Sequence, residues 1–253
     1  MKCYAAAATN IGKRETNQDS AYVMTTQSPN HDVVVFALVS DGMGGLQSGE
    51  IASATVAKHF AEWFKAKISD VSLLDFLSIK EEWSRYVTII AERFIEAGKE
   101  KGATMGTTLT ALIVVESRYL FAHIGDTRLY RITSDGISVL TEDHTKAARL
   151  VREGEITATE AETHQSAHVL TRCIGAKRLY ELTFGEGRID GDVTFLLCSD
   201  GFRHYNSKSE LYAAFINAQS NFMLHDSIKE CINRGIYRGE TDNSTAVAVC
   251  LRK

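Results

Sequence analysis

The feature that most limits the fold is the run Val33–Val39, VVVFALV, which ends on Ser40-Asp41-Gly42. Side chains of a strand alternate between the two faces of its sheet. An unbroken apolar run of this length therefore reads as a strand covered on both faces. A second run, Val193–Cys198, VTFLLC, ends the same way on Ser199-Asp200-Gly201. A carboxylate just past a buried strand stands at the rim of a sheet, held rigidly yet able to reach solvent. The tripeptide alone carries little weight. It recurs at Ser134-Asp135-Gly136, inside YRITSDGISVL, where the flanks alternate apolar and polar. Asp-Gly between two such flanks is a tight-hairpin signal, so Asp135 is expected in a turn. The continuous apolar flank is what sets Asp41 and Asp200 apart.

Other acids also stand beside strand-like segments. Asp19 ends RETNQD before SAYVM, Asp126 ends LFAHIGD, and Asp242 lies in GETDN before the last apolar run. Each aspartate alone reads most simply as a turn or a helix cap, and Asp242-Asn243 looks much like a turn. Their joint arrangement points elsewhere. If the strand ends converge, several carboxylates share one small space and repel unless cations neutralise them. Carboxylates, carbonyls and water suit hard divalent ions such as Mg²⁺ and Mn²⁺. No histidine or cysteine directly adjoins any of these aspartates in the chain, which argues against zinc. Gly42, Gly44 and Gly45 would let the backbone turn sharply and a carbonyl face an ion.

The remaining pattern is that of one domain over residues 1–253, with a single proline, Pro29, and no linker or repeat. Met1–Thr9 reads as a strand. A helix is expected over Ser48–Lys67, with Ile51, Ala54, Val56, Ala57, Phe60, Trp63 and Phe64 sharing its inner face. A second spans about Lys80–Lys101, with Trp83, Val87, Ile90, Phe94 and Ile95 inward. Short β-rich segments follow: TTLTALIVVE, RYLFAHIG, TRLYRIT and GISVLT. Lys146–Glu162 looks helical and polar, with LVREGEITATEAE giving one helix, a Gly turn and the start of another; ELTFGEGRI and DVTFLLCS return to strand; Ser207–Gln219 and Leu224–Arg234 are helical; STAVAVCL closes the chain. Helices in pairs between groups of hairpin-joined strands give an α+β fold: a layered α-β-β-α sandwich of two antiparallel sheets flanked by helix pairs.

A net charge of −4 with scattered basic residues excludes a general nucleic-acid binder. No apolar run approaches the roughly 18 residues of a membrane span. The short apolar stretch in MKCYAAAATN, followed at once by Asn10 and Lys13, does not read as a signal peptide. Five cysteines, an odd number without a CxxC pair, fit reduced thiols in a cytoplasmic protein.

The ordered set RETNQD, SDGMGG, GTTLT, HIGDTRLY, SDG after an apolar strand, and TDNSTAVAV resembles the metal-dependent Ser/Thr protein phosphatases of the PPM (PP2C-like) family, bacterial type. It spans Arg14 to about Val249. The resemblance implies the same sandwich, with two or three Mn²⁺ or Mg²⁺ ions in a cleft at one edge. It implies that Asp41 bridges two ions and that the Gly42 carbonyl ligates one. Asp200 and Asp242 match further ligands, Asp19 a carboxylate that binds metal-bound water, and Asp126 a residue that helps hold a third, weaker ion. Arg14, alone an ordinary surface arginine, matches the residue that grips the substrate phosphate. A hydroxide bridging the ions would attack phosphoserine or phosphothreonine in line, with Arg14 and the ions offsetting charge.

The chain departs from the pattern in two places. Met43 stands where many relatives carry a histidine proposed as general acid, which leaves that role unassigned. His164-Gln165 replaces a frequent His-Pro in a flap at about 143–176; His144, His164 and His168 are expected as flap or surface residues. Phosphorylated proteins are the implied substrates, with a cognate Ser/Thr kinase as candidate partner, no nucleic acid, no membrane, and action as a monomer. Two other readings stand beside this one. A catalytically silent, phosphoprotein-binding relative would lack metal ligands, and a two-metal phosphodiesterase on nucleic acid would show a basic track.

Overall fold

The computed structural model describes residues 1–27, 33–44, 48–67, 75–102, 104–175 and 178–253. In chain order the elements are β1 (Lys2–Asn10), β2 (Asp19–Gln27), β3 (Val33–Met43), α1 (Ser48–Lys67), α2 (Phe76–Lys101), β4 (Gly106–Thr107), β5 (Leu109–Val115), β6 (Arg118–Ile124), β7 (Arg128–Thr133) and β8 (Gly136–Val139). They continue as α3 (Lys146–Arg152), α4 (Ala158–Thr163), β9 (Thr183–Arg188), β10 (Val193–Cys198), α5 (Asp200–Arg203), α6 (Lys208–Phe215), α7 (Asn221–Tyr237) and β11 (Ser244–Arg252).

The strands form two antiparallel sheets. One runs β1-β11-β10-β7-β8; the other runs β2-β3-β5-β6-β9, with β4 paired to the end of β3. The double-sided run of β3 explains how they stack. Val33, Val35, Ala37 and Val39 pack with Phe195, Leu197, Val247 and Val249 between the sheets. The alternate residues Val34, Phe36 and Leu38 face α1 and α2. On the far side, Leu196, Cys198, Ala246 and Ala248 pack against α6 and α7. The expected helix–sheet–sheet–helix layering is therefore the fold, and each β3 residue serves whichever layer its parity selects.

Several expectations are corrected in detail. Strand β3 runs on through Asp41 and Gly42 to Met43, because Gly42 and Met43 pair with Thr107 and Gly106. Helix α1 has the expected ends, but Ile51 is 45% exposed and Ala54 faces solvent, whereas Ala52 and Ser53 are buried. The helix face is set by close approach rather than by hydrophobicity: a Cβ on Gly49 would lie 2.9 Å from the carbonyl carbon of Gly42. The polar stretch 146–162 forms two short helices, α3 and α4, with the Gly turn that LVREGEITATEAE implies between them, Gly154 at φ +75°. One-turn helix α5, which begins on Asp200, was not expected at all. His144, within the flap segment as expected, is buried there, its ring 4.9 Å from that of His123. Gly45 lies outside the described residues, and the flap is described through Gly175. No helix among the described residues is long and apolar enough to cross a membrane. Asp135 sits in the exposed β7–β8 turn, as its alternating flanks imply.

Candidate metal centre

Neighbouring strand ends bring the acids together. Asp19 opens β2 and pairs directly with Asp41 in β3. Like charges opposite one another across two strands destabilise a sheet unless something offsets them. Asp200 opens α5 at the end of β10, Asp242 precedes β11, and Asp126 follows β6. Asp19, Asp126 and Asp200 are all buried. Burial first, then Asp19, Asp200, Asp126 and Asp242, push the Asp41 carboxyl well above the ordinary carboxylate range. Asp19 and Asp126 are pushed up likewise, chiefly by burial, with Asp200 adding to both. Asp200 moves the other way: burial raises it, but His168, His204 and Arg203 outweigh that and hold it near 2. The other four predicted acids thus all lie within electrostatic reach of Asp41.

Hydrogen bonds hold the backbone of this cluster. Thr108 Oγ1 accepts from the Asp41 N–H at 2.9 Å, and the Thr108 N–H donates to the Asp41 carbonyl at 2.8 Å. Thr107 Oγ1 donates to the same carbonyl at 2.8 Å. That is the structural work of GTTLT: it clamps the strand end carrying Asp41. Ser199 Oγ donates to Asp19 Oδ2 at 2.8 Å. Glu240, itself buried, accepts the N–H groups of Thr241 and Asp242 at 2.7 and 2.8 Å. Asn243 Oδ1 accepts from the Gln18 N–H at 2.8 Å, and its Nδ2 donates to the carbonyls of Ile11 and Thr16 at 2.8 and 3.2 Å. Asn243, read from the sequence as part of a turn, is therefore the staple between the Arg14 loop and the Asp242 loop.

Gly42 has a simpler role than a sharp turn. A Cβ there would sit 2.0 Å from the Gly49 carbonyl oxygen. Glycine at this position lets the first turn of α1 close onto the strand end. Gly44, at φ +144°, is the residue that needs glycine's backbone freedom. Arg14 is half exposed, and its Nη2 donates to Asp242 Oδ2 at 2.7 Å. The guanidinium thus stands at the mouth of the cluster.

The donor set fits divalent cations. Asp19 Oδ1 is buried with no hydrogen-bond partner, a costly state for a carboxylate oxygen unless a cation meets it. Carboxylate oxygens predominate around it, as Mg²⁺ and Mn²⁺ favour. The expectation that histidine stays away from these aspartates is overturned at one corner. His168 Nδ1 lies 3.4 Å and His204 Nε2 3.6 Å from Asp200 Oδ2. His168 lies far along the chain, so no local spacing announces it; His204, four residues after Asp200, signals itself only once Asp200 is known to open a helix. Beside this corner, under the flap, lies a cavity of 420 Å³ bordered by Asp143, Ala147, Val151, His168, Arg203 and His204. Its basic groups Arg128 and Arg203 are already committed to Asp143 at 2.8 and 3.2 Å.

Comparison with known proteins agrees with this construction. A profile of the Protein phosphatase 2C family matches residues 8–234, and the chain belongs to that family. A putative protein phosphatase 2C-type from Streptococcus pyogenes is 31% identical over 95% of this chain and 94% of its own length. The serine/threonine phosphatase structure from S. agalactiae superposes with a TM-score of 0.83 at 25% identity, covering 98% of this chain and 99% of that one. The catalytic domain of the serine threonine protein phosphatase PstP, solved in complex with two manganese ions, gives a TM-score of 0.79 at 25% identity over 99% of both chains.

Proposed function

We propose that this chain hydrolyses phosphoserine and phosphothreonine esters of proteins at the carboxylate cluster. The observation that carries the reading is the convergence of Asp19, Asp41, Asp126, Asp200 and Asp242 on one strand-end cleft, with a buried Asp19 oxygen left without a partner. Asp41, Asp200, Asp242 and the Gly42 carbonyl are the groups to hold a pair of divalent ions, with Asp19 beside them and Asp126 toward a third. Such ions, when bound, supply acidified water and charge neutralisation. Arg14 orients the phosphate: released from Asp242, its planar fork meets two equatorial oxygens. Met43 cannot donate a proton, so the residue at that position does not protonate the departing seryl or threonyl oxygen, and the general-acid role is assigned to no side chain. Manganese fits the PstP precedent, and a phosphoprotein, such as a Ser/Thr kinase or its targets, fits as substrate. The silent-relative alternative predicts missing ligands, whereas the sequence retains all five acids of the motifs. Cys3, Cys198, Cys231 and Cys250 are free thiols, which suits a cytoplasmic setting.

Purified protein should hydrolyse p-nitrophenyl phosphate and a phosphothreonine peptide with Mn²⁺ and stop on addition of EDTA. Asp200→Asn should lower turnover by at least about a hundredfold, since a lost ligand costs several kcal/mol of transition-state stabilisation. Circular dichroism should show the fold retained. Wild-type turnover in Asp200→Asn would remove that residue from the site.

A further inference from the structure

The corner where His168 and His204 meet Asp200 has a different chemistry from the rest of the cluster. His204 stands at the end of α5, four residues after Asp200, so helix geometry returns its ring toward that carboxylate. Its other nitrogen is occupied: Nδ1 lies 3.0 Å from Glu240 Oε2. A carboxylate behind one imidazole nitrogen fixes the ring and leaves the opposite nitrogen free to ligate, an arrangement typical of metal-bound histidine. His168 comes from the flap. Its side chain is 61% exposed, so the corner opens to solvent.

The spacing is telling. Two donors held about 2.1 Å from a tetrahedral ion lie roughly 3.4 Å apart. The two imidazole–carboxylate distances here are 3.4 and 3.6 Å. The three donor atoms all fall within 4.8 Å of one another, and Asp126 is not among them. The rings stand edge to face, 82° apart with centroids at 4.8 Å. Both imidazoles address the same Asp200 oxygen, Oδ2, one from the flap and one from the end of α5.

We propose that His168, Asp200 and His204 form a separate cation position, of two imidazole nitrogens and one carboxylate oxygen, that takes Zn²⁺ and ties the flap to α5. Imidazole suits zinc and its borderline neighbours, whereas the all-oxygen cluster suits manganese and magnesium. Three protein ligands leave a fourth position to water. The position shares Asp200 with the phosphatase reading but depends on its own two ligands.

Co²⁺, as a coloured stand-in for Zn²⁺, tests this on the full-length chain. One equivalent should give the strong visible absorption of four-coordinate, nitrogen-ligated cobalt in the wild type. Asp41→Asn, which strips the oxygen cluster of its central acid, should keep that band. His168→Ala and His204→Ala should each lose it and weaken Zn²⁺ binding by at least the roughly 10–100-fold that loss of an orienting partner alone costs. Zn²⁺ should also slow tryptic cleavage after Arg149, Arg152 and Arg172 in the wild type but not in His168→Ala. A band that persists in both histidine variants, or wild type and variants with equal Zn²⁺ affinity, would overturn the proposal. The Mn²⁺ assay on wild type is scored separately: absent turnover there with the cobalt band intact would sink the phosphatase reading and leave this site standing.

Discussion

Gly42 occupies extended backbone that any residue can adopt; what it lacks is room for a side chain. The first turn of α1 lies so close that an added Cβ would meet the Gly49 carbonyl oxygen at 2.0 Å, backbone against backbone. Gly42→Ala must therefore push α1 off the strand end that carries Asp41. We predict a loss of Mn²⁺-dependent turnover of at least tenfold, and destabilisation of about 1–3 kcal/mol, the range for overpacking a tight contact. Urea unfolding and p-nitrophenyl phosphate assays check both numbers; an alanine variant with wild-type behaviour would mean the helix is free to move. The acids themselves were legible in the sequence, because Asp41 and Asp200 each cap an uninterrupted apolar run. Asn243, Glu240 and His168 were not. Asn243 acts through a contact across most of the chain, with Gln18, and His168 through one with Asp200 on another element, and no local spacing encodes either; Glu240 acts on its neighbours Thr241 and Asp242, a role that no residue pattern announces.

At the scale of elements, β3 carries the argument. Phe36 contributes the ring that gathers the helix layer, with Phe60, Trp63, Phe64 and Trp83 at centroid distances of 5.1 to 6.5 Å. Phe36→Ala should cost about 3–5 kcal/mol, the range for a buried aromatic truncated in a core. Ile51→Ala, on the solvent side of α1, should stay within about 0.5 kcal/mol. Equal effects in chemical denaturation would return Ile51 to the inner face that apolar spacing alone assigns it. The helix ends were readable from sequence. The rotation of α1 was not, because its buried side begins with Gly49, Ala52 and Ser53, small residues whose value is close approach rather than hydrophobicity. The end of β3 was missed for a related reason. Glycine weakens a strand in general, yet Gly42 is retained in the ladder by its pairing with Thr107.

Across the molecule, buried titratable groups make stability depend on pH. His123 is fully buried in β6, and burial holds its pKa near 4. Its Nε2 lies 3.0 Å from the Glu142 carbonyl and its Nδ1 3.0 Å from Thr110 Oγ1, so the neutral ring donates to the carbonyl and accepts from the hydroxyl. The unfolded chain binds this proton near pH 6.5. The His123 contribution is therefore full above that pH and is lost as pH falls toward 4. Between pH 7.5 and 5 the wild type should lose about 2 kcal/mol that His123→Gln does not lose, by urea unfolding at the two pH values. Parallel pH profiles for the two proteins would show His123 charged in the fold.

The claim on which the rest depends is that strand ends from both sheets deliver Asp41, Asp200 and Asp242 to one pair of divalent ions. Anomalous diffraction at the manganese edge from crystals grown with Mn²⁺ tests it most directly. Two strong peaks a few ångströms apart, both within ligand distance of Asp41, with Asp200 and Asp242 on their flanks, are the result expected here. Crystals with no peak beside Asp41, or with manganese bound only elsewhere, would contradict it.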